Sequence, residues 1–444
     1  MHSDIPFRRW LFLTQYYHPE PGAPQVRLRA LARELTRRGC EVEILTGMPN
    51  YPTGAIYPEY RGKLACTETI DGCKVRRLWL YAGAGRSSLA RLLCYLSFSL
   101  AAIIRVPFLP RYDVVFVEAQ PITLAIAGWL NKLIRRMPYI YNTPDLQVEI
   151  AGEERWIGSR ALLKAAKAVE TFLMRQSFCV ATVTDSFVEH FAQTRKIPRS
   201  HISFFPNGAD IDELRPISED RDYARQLGVE GKRVFAYCGT QAHYHGLEII
   251  IDAAAALRDR TDIVILMVGK GPLRPELEQR ARALGLSNVV FAESPFSEMR
   301  RLMSITIASL ATVANMRAAA KMRLSKVVPP LACGVPVIYA GEGEFTEILK
   351  QEQCGWVVPT GSSEQLAATI QRVADDPETA AIMGRHGRAY VEEHLSWRRI
   401  VDRWIEDLAC IRAGRDLWQH RRRVSPVAAG EPQLAADAAG SHRA

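Results

Sequence analysis

The sequence predicts an α/β protein made of two doubly wound, Rossmann-like domains that face each other across a cleft. Apolar strands alternate with amphipathic helices along the chain, which is typical of parallel sheets covered by helices. This alternation starts twice, once near the amino terminus and again after residue 220. The chain has 444 residues, too many for one core of ordinary size, so two domains of roughly 200 residues each are expected.

The first series begins with strand Trp10–Thr14, a loop rich in proline and glycine that contains Gly22, a helix, and strand Glu41–Thr46. Four later apolar runs are also expected to be strands: Val114–Val117, Pro138–Thr143, Cys179–Thr184 and Ile202–Phe205. Loops that follow parallel strands meet at one edge of the sheet, where open sheets bind ligands. Asp145 lies in such a loop, so it is expected either to face the cleft or to cap the next helix.

The second series contains three expected strands and two helices before the region that we consider central: Arg233–Gly239, Leu247–Arg258, Asp262–Gly269, Pro275–Leu284 and Asn288–Ala292. The central region carries Ser325 and Lys326 in a loop, a short helix to Cys333, strand Val335–Ala340 and a loop ending at Glu344. A helix start beside a lysine suits a phosphorylated ligand, because the free backbone N–H groups of the helix and the positive charge of the lysine can both contact the phosphate.

Composition changes suggest where the domains end. We expect a first domain over residues 1–205, a linker over 206–220 and a second domain over 221–395. Three helices are predicted near the carboxyl terminus: Ser362–Ala374, Pro377–Glu393 and Trp397–Arg412. The last of them forms a separate segment, 396–412, and residues 413–444 have little apolar surface to bury and are expected to be disordered.

Charge and cysteine content argue against several classes of function. The net charge of +9 favours anionic partners, but no basic stripe with interleaved aromatics is present, so nucleic-acid binding is not expected. The nine cysteines form no CxxC pair, so neither a zinc site nor a disulfide framework is predicted. Reduced cysteines and a start without a secretory signal favour the cytoplasm.

The segment Leu89–Pro110 is unusually apolar. Its uninterrupted apolar run, Leu92–Ile104, lies between two arginines and is too short to span about 30 Å of hydrocarbon. A buried core helix is the favoured interpretation, and a helix lying in the membrane surface is the alternative.

Five motifs occur in a fixed order along nearly the whole chain to about residue 412: YYHPEPGAPQVRLRALARELTRRGCEVEILTGMPNYPTG (16–54), FFPNGADIDELRP (204–216), CGTQAHYHGLEIIIDAA (238–254), MVGKGPLRPELEQRARALGLSNVVF (267–291) and SKVVPPLACGVPVIYAGEGEFTEILKQEQCGWVVP (325–359). Together with the final SWRRIVDRWIEDL (396–408), they resemble the retaining glycosyltransferases of family four, which have the GT-B fold. The resemblance implies that the first domain lies on the acceptor side, that the second binds the nucleotide sugar, and that the final helix, 396–412, returns to the first domain. The branch that the motifs resemble most makes exopolysaccharides and O-antigens of the colanic-acid type.

This resemblance implies transfer of a sugar from a UDP- or GDP-linked donor to a lipid-linked or polysaccharide acceptor. The anomeric configuration would be retained, no metal or cofactor would be required, and the enzyme would work in the cytoplasm, with a possible site on the inner membrane surface through residues 89–110.

The resemblance also assigns roles to individual residues. On the donor side, Lys326 matches the lysine that neutralises the diphosphate, with Ser325 beside it, and His245 stands where many relatives carry a second cation. Arg274 is expected to face the nucleotide, and Glu344 to hold the ribose or the donor sugar.

Two further roles concern the amino-terminal half. Gly22 matches a loop glycine that lets the backbone approach the donor phosphate or the acceptor. Asp145 is expected to act on the acceptor side. Lys326 and Asp145 are the two residues expected to carry the reaction.

Some positions depart from the family pattern. Lys321 and Pro329 stand where many relatives carry two glutamates, and Gln120 replaces a frequent histidine. A degenerate transferase that serves as a scaffold in polysaccharide assembly is therefore the main alternative.

A dinucleotide oxidoreductase is disfavoured, since Gly269-Lys270-Gly271 lacks a third glycine at the right spacing. A sugar-nucleotide epimerase stays possible, and a metal-dependent transferase would have to use Asp210 and Asp212 in the linker.

Overall fold

A computed structural model describes residues 5–83, 88–153, 159–315, 323–415 and 417. Lys321 and almost all of the tail that was expected to be disordered, 413–444, lie outside these residues. Two separate sheets contain the described strands, and each sheet is covered by helices on both faces. The predicted fold class, two Rossmann-like α/β domains, is confirmed.

The first sheet has eight strands in the order β3-β4-β2-β1-β5-β6-β7-β8. All neighbours are parallel except β3 and β4, which are antiparallel. Most of the parallel strands are buried almost throughout, so each reads as a continuous apolar run. The bounds are β1 Arg9–Leu13, β2 Glu41–Gly47, β3 Ala65–Ile70, β4 Cys73–Leu78, β5 Val114–Glu118, β6 Tyr139–Thr143, β7 Cys179–Thr182 and β8 Ile202–Phe204.

Six helices belong to this domain: α1 Ala23–Arg37, α2 Ser88–Arg105, α3 Ile122–Arg135, α4 Gln147–Glu153, α5 Arg160–Gln176 and α6 Asp185–Thr194. Helices α2, α3, α5 and α6 pack on one face of the sheet, and α1 packs on the other. Several helix starts follow the expected chemistry. For example, the Thr184 hydroxyl accepts a hydrogen bond from the Phe187 N–H and caps α6.

Helix α2 is apolar on both faces. Cys94, Phe98 and Ala102 are buried against the sheet, whereas Leu96 and Leu100 on the outer side are 44% and 58% exposed. By length and composition alone, Leu89–Phe108, with a mean hydropathy of 1.7, is the one stretch among the described helices that is long and apolar enough to cross a membrane. The favoured expectation of a buried core helix was therefore wrong for its outer face, because no described element covers it.

The second sheet has six parallel strands in the order β11-β10-β9-β12-β13-β14, the strand order of a dinucleotide-binding fold. The strands are β9 Arg233–Cys238, β10 Ile263–Val268, β11 Val289–Ala292, β12 Thr306–Thr312, β13 Val337–Ala340 and β14 Gly355–Val358. The helices are α7 Arg221–Gln226, α8 Glu248–Ala256, α9 Arg274–Ala283, α10 Met299–Ser304, α11 Val328–Ala332, α12 Glu344–Gln351, α13 Ser363–Asp375 and α14 Pro377–Tyr390.

The last helix, α15 (Trp397–Arg412), follows a π-helical turn and packs against the first sheet rather than the second. Its Trp404 is fully buried, and the Trp404 ring lies 4.8 Å from the ring of Phe205 and 5.8 Å from that of Trp10. The indole N–H of Trp404 donates to Ser203 Oγ over 3.1 Å. Strand β1 and helix α15 therefore belong to the same domain.

Candidate functional site

A cavity with a volume of ≈ 1520 Å³ lies between the carboxyl edges of the two sheets. In both sheets it coincides with the point where the strand order reverses, next to β1 and β5 in the first and next to β9 and β12 in the second. Open α/β sheets bind ligands at such points. Five of the seven residues predicted from the sequence line the cavity: Gly22, Asp145, His245, Ser325 and Lys326.

Lys326 lies in the 3₁₀ turn Ser325–Val327, directly before α11. Its Nζ donates to Tyr237 Oη over 2.6 Å, and that hydroxyl donates to the Thr240 carbonyl over 2.7 Å. Burial lowers the pKa of Lys326 to about 7, and no ion pair to it occurs among the described residues. A buried amine without a carboxylate partner is suited to an incoming anion, which would restore its full charge.

Glycine keeps the space in front of Lys326 open. Gly239, the first residue after β9, has a φ of 151°, and a Cβ there would lie 3.4 Å from Lys326 Nζ. At Gly269, after β10, a Cβ would come within 2.1 Å of the Gly239 carbonyl oxygen. Any side chain at Gly269 would therefore displace the loop that forms this wall of the cavity.

His245 lies close to Lys326 and stays neutral. Burial and, to a smaller extent, the neighbouring Lys326 lower the pKa of its imidazole to about 2. Its Nδ1 is buried and has no hydrogen-bond partner among the described residues. His245 can therefore offer an uncharged hydrogen bond in the cavity, but it cannot act there as a second cation.

Glu344 begins α12 and does not line the cavity. Its Oε1 accepts a hydrogen bond from Arg323 Nη1 over 2.9 Å, and the Arg323 guanidinium also lies over the ring of Phe345 at 5.1 Å. Burial raises the pKa of Glu344, and Arg323 opposes that change. Arg323, which the sequence analysis did not single out, is the member of this pair that lines the cavity.

Arg274 also lies away from the cavity wall. Its guanidinium donates to Glu278 over 2.7 Å, to the Gly269 carbonyl over 2.9 Å and to the Ala292 carbonyl over 3.3 Å. These contacts join the loops that follow β10 and β11. Arg274 therefore holds these two loops together. Its predicted contact with the nucleotide stays a prediction.

Across the cavity, Asp145 follows β6 and its carboxylate accepts a hydrogen bond from Gln120 Nε2 over 3.1 Å. Gln120, the residue at the position of the family's frequent histidine, follows β5 and therefore positions this carboxylate. Burial raises the pKa of Asp145, and the hydrogen bond from Gln120 opposes that change. A carboxylate in such a setting accepts strong hydrogen bonds from sugar hydroxyls.

A buried ion pair supports this side of the cavity. Arg27 of α1 contacts both carboxylate oxygens of Glu118 at 3.1 Å, and Asn142 donates to the same carboxylate over 2.7 Å. Sequence reasoning missed all three residues, although polar side chains at the ends of apolar strands were a usable signal. Their contacts fix the ends of β5 and β6, from which Gln120 and Asp145 extend.

Gly22 lies at the start of α1, with a φ of 147°. No side chain caps this helix start, and a Cβ at Gly22 would come within 2.3 Å of Gln25 Oε1. The helix has 15 residues, so its first N–H groups offer partial positive charge to the cavity. No group of three or more potential metal ligands occurs among the described residues.

Two family models match the two domains in turn. The model described as "Glycosyl transferase 4-like domain" matches residues 22–208, and "Glycosyl transferases group 1" matches residues 219–390. The chain belongs to glycosyltransferase family four.

Curated and solved relatives agree with this membership of family four. The chain is 26% identical over 397 residues to a colanic acid biosynthesis glycosyl transferase of Escherichia coli K12, covering 84% of this chain and 93% of the relative. It is 22% identical over 270 residues to O-antigen chain mannosyltransferase C of Escherichia coli, covering 61% and 70%. The structure of Anabaena HepE in complex with UDP and glucose has a TM-score of 0.68 at 19% identity, covering 91% and 99%, and shows the GT-B fold.

Proposed function

We propose that this GT-B glycosyltransferase moves a hexose from a UDP- or GDP-linked donor to a saccharide acceptor during cell-surface polysaccharide synthesis, with retention and without a metal ion. The observation that carries the proposal is Lys326, a buried amine that faces a cavity between two sheet edges and has no carboxylate partner among the described residues. A diphosphate is the ligand that such a site fits best.

In this proposal Lys326 stabilises the leaving group. Negative charge grows on the diphosphate as the glycosidic bond breaks, and a cation held in a water-poor site stabilises that charge more than one in water does. Ser325 and the neutral His245 add hydrogen bonds, and the space beside Gly239 admits the phosphates.

Other groups on the wall suit the rest of the donor and the acceptor. Phe296 lies in the loop after β11, lines the cavity and is 46% exposed, so its ring is a platform for the nucleobase. Asp145, on the opposite side, accepts a hydrogen bond from the acceptor hydroxyl. UDP and glucose in the similar HepE structure support a nucleotide-sugar donor, and the family resemblance supports retention.

We also propose that the enzyme works in the cytoplasm, at the inner surface of the membrane. The outer face of α2 presents Leu89, Leu96, Leu100 and Ile104, each at least 44% exposed. Helix α2 carries Arg91 and Arg105 and no acidic residue, a composition that suits an anionic lipid surface.

Thermal unfolding with UDP, GDP or NAD added separately tests the proposed function. A nucleotide present at 100 times its dissociation constant adds about 2.7 kcal/mol to the free energy of unfolding. We expect UDP or GDP to raise the melting temperature and NAD to leave it unchanged. No response to either nucleotide would favour the scaffold alternative suggested by Pro329, and a response to NAD alone would contradict transferase function.

A further inference from the structure

The wall of the cavity beyond Asp145 is apolar rather than polar. It is formed by α2, α4 and α5, and includes Leu92, Tyr95, Ile150, Leu162, Ala166 and Val169. Leu92, Leu162 and Val169 remain 50%, 59% and 46% exposed, so no described element covers them. Sugar hydroxyl groups would find few hydrogen-bonding partners along this wall, so its aliphatic side chains suit an apolar part of the ligand better than a saccharide.

The apolar wall continues along α5 to the protein surface. Leu162, Ala166, Val169 and Phe172 follow one another at helical spacing, so they form a stripe on one side of the helix. From Leu162 to Phe172 this stripe is about 15 Å long. Its outer end, Phe172, is 45% exposed and its ring lies 5.3 Å from the ring of Trp129 on α3. The groove therefore runs from the reactive part of the cavity to the apolar outer surface.

The exposed charges of α5, which forms one side of the groove, have one sign. The exposed charged residues of α5 are Arg160, Lys164 and Arg175. The single acidic residue of that helix, Glu170, is buried and paired with Arg195 at 2.8 Å. The basic residues along α5 favour an anionic amphiphile over a neutral polysaccharide chain.

We propose that the acceptor is an anionic amphiphile, a saccharide attached to one long apolar chain, and that this chain lies in the α2–α4–α5 groove with its sugar end at Asp145. The proposal rests on the proposed function, from which it selects the lipid-linked acceptor. Each methylene group buried in the groove adds about fourfold to affinity. Binding is therefore expected to grow with chain length.

Hexyl, octyl and decyl glucosides, used below their micelle concentrations, test the proposal on the full chain by calorimetric titration. We expect affinity to rise by roughly tenfold or more for each pair of added methylene groups. Val169→Glu, and separately Ala166→Trp, are expected to remove most of this dependence on chain length. The control Leu133→Glu changes an α3 residue that is 57% exposed but does not line the cavity, so it is expected to leave the dependence unchanged.

Two results would contradict binding of the apolar chain in the groove. One is equal affinity for the three glucosides, and the other is an equal loss of the dependence on chain length in Leu133→Glu and Val169→Glu. The nucleotide response of each variant is measured in parallel. A wild-type chain that responds to UDP or GDP without any dependence on chain length would contradict only the groove, whereas loss of the nucleotide response in the wild-type chain contradicts the transferase proposal. A preserved nucleotide response in Val169→Glu and Ala166→Trp also shows that these variants are folded.

Discussion

The buried amine of Lys326 makes the stability of the ligand-free protein depend on pH. Its pKa is about 7 in the folded chain and about 10.4 when unfolded. Between these values the unfolded chain holds a proton that the folded chain lacks, so stability rises as pH increases from about 7 to about 10. Below pH 7 both states are protonated, and the cost of burying the charge is constant.

We predict that Lys326→Met removes this rise in stability and greatly reduces sugar transfer. At pH 7 the variant is expected to melt no lower than the wild-type chain, because a buried cation is replaced by an apolar side chain of similar length. Melting curves at several pH values, compared between the two proteins, provide the measurement. A large loss of stability at pH 7 would show instead that Lys326 supports the fold.

Single residues also show what the sequence can and cannot provide. Gly22, Asp145 and Lys326 were predicted from their positions after strands or before a helix, and the structure places all three on the cavity wall. Arg323 could not be found in this way, because its partner Glu344 is 21 positions away and only the folded chain brings them together. Lys321, where a family glutamate is usual, lies outside the described residues.

The Arg323–Glu344 pair connects α12 to the cavity wall, and its energetics test the role of Glu344. The Arg323 side chain is 3% exposed and that of Glu344 is 22% exposed. We predict that Arg323→Met lowers the free energy of unfolding by roughly 2–3 kcal/mol, because it leaves Glu344 buried without its cation. The partial exposure of Glu344 keeps the loss below that of a fully buried pair.

Glu344→Gln is the matched variant, since it keeps the shape and one acceptor. It is expected to cost about 1 kcal/mol. Chemical denaturation measures the loss in free energy of unfolding for both variants. Titration with a nucleotide and, separately, with its nucleotide sugar distinguishes a donor contact of Glu344 from a purely structural role. If Glu344→Gln weakens binding of the nucleotide sugar but not of the nucleotide, Glu344 contacts the donor sugar. If neither titration changes, the predicted donor contact of Glu344 is wrong and the residue is structural.

At the level of elements, helix α2 supports a prediction about membranes. We expect the protein to sediment with vesicles of anionic lipid at low salt, and the double variant Leu96→Glu, Leu100→Glu to stay in solution. Both leucines are exposed, so the variant is expected to keep the wild-type melting temperature. Vesicles of neutral lipid are the control, and equal sedimentation of variant and wild type would contradict the proposed surface.

Elements differed in how well the sequence predicted them. Helix α15 was predicted with its observed bounds, and the short helix predicted to end at Cys333 is α11, which begins at Val328. The antiparallel pair β3–β4 was missed. Its strands are rich in polar residues, and β3 alternates between exposed and half-buried residues, so they lack the apolar runs that identify central strands. Its Asp71-Gly72 turn, with positive φ at both residues, was the available signal.

The whole molecule depends on α15, because this helix returns from the second domain and completes the core of the first. Trp404 contributes the rings that contact Trp10, Phe116 and Phe205. The amphipathic pattern of α15 predicted a helix, and the family resemblance, rather than the pattern, indicated that this helix returns to the first domain. The arrangement implies that the core of the first domain is incomplete until α15 has folded against it.

We predict that Trp404→Ala lowers the free energy of unfolding by about 3–5 kcal/mol, the cost of removing a fully buried tryptophan. For a domain of this size the melting temperature of the first domain falls by on the order of 10 °C. Trp79→Ala, at a site that is 44% exposed, is the control and is expected to change the melting temperature little.

Calorimetry of Trp404→Ala then distinguishes two cases. If α15 stabilises only the first domain, that transition moves down alone and the second domain keeps its response to UDP or GDP. If a single transition moves down instead, the two domains unfold as one cooperative unit, and α15 holds the cleft together as well as the core.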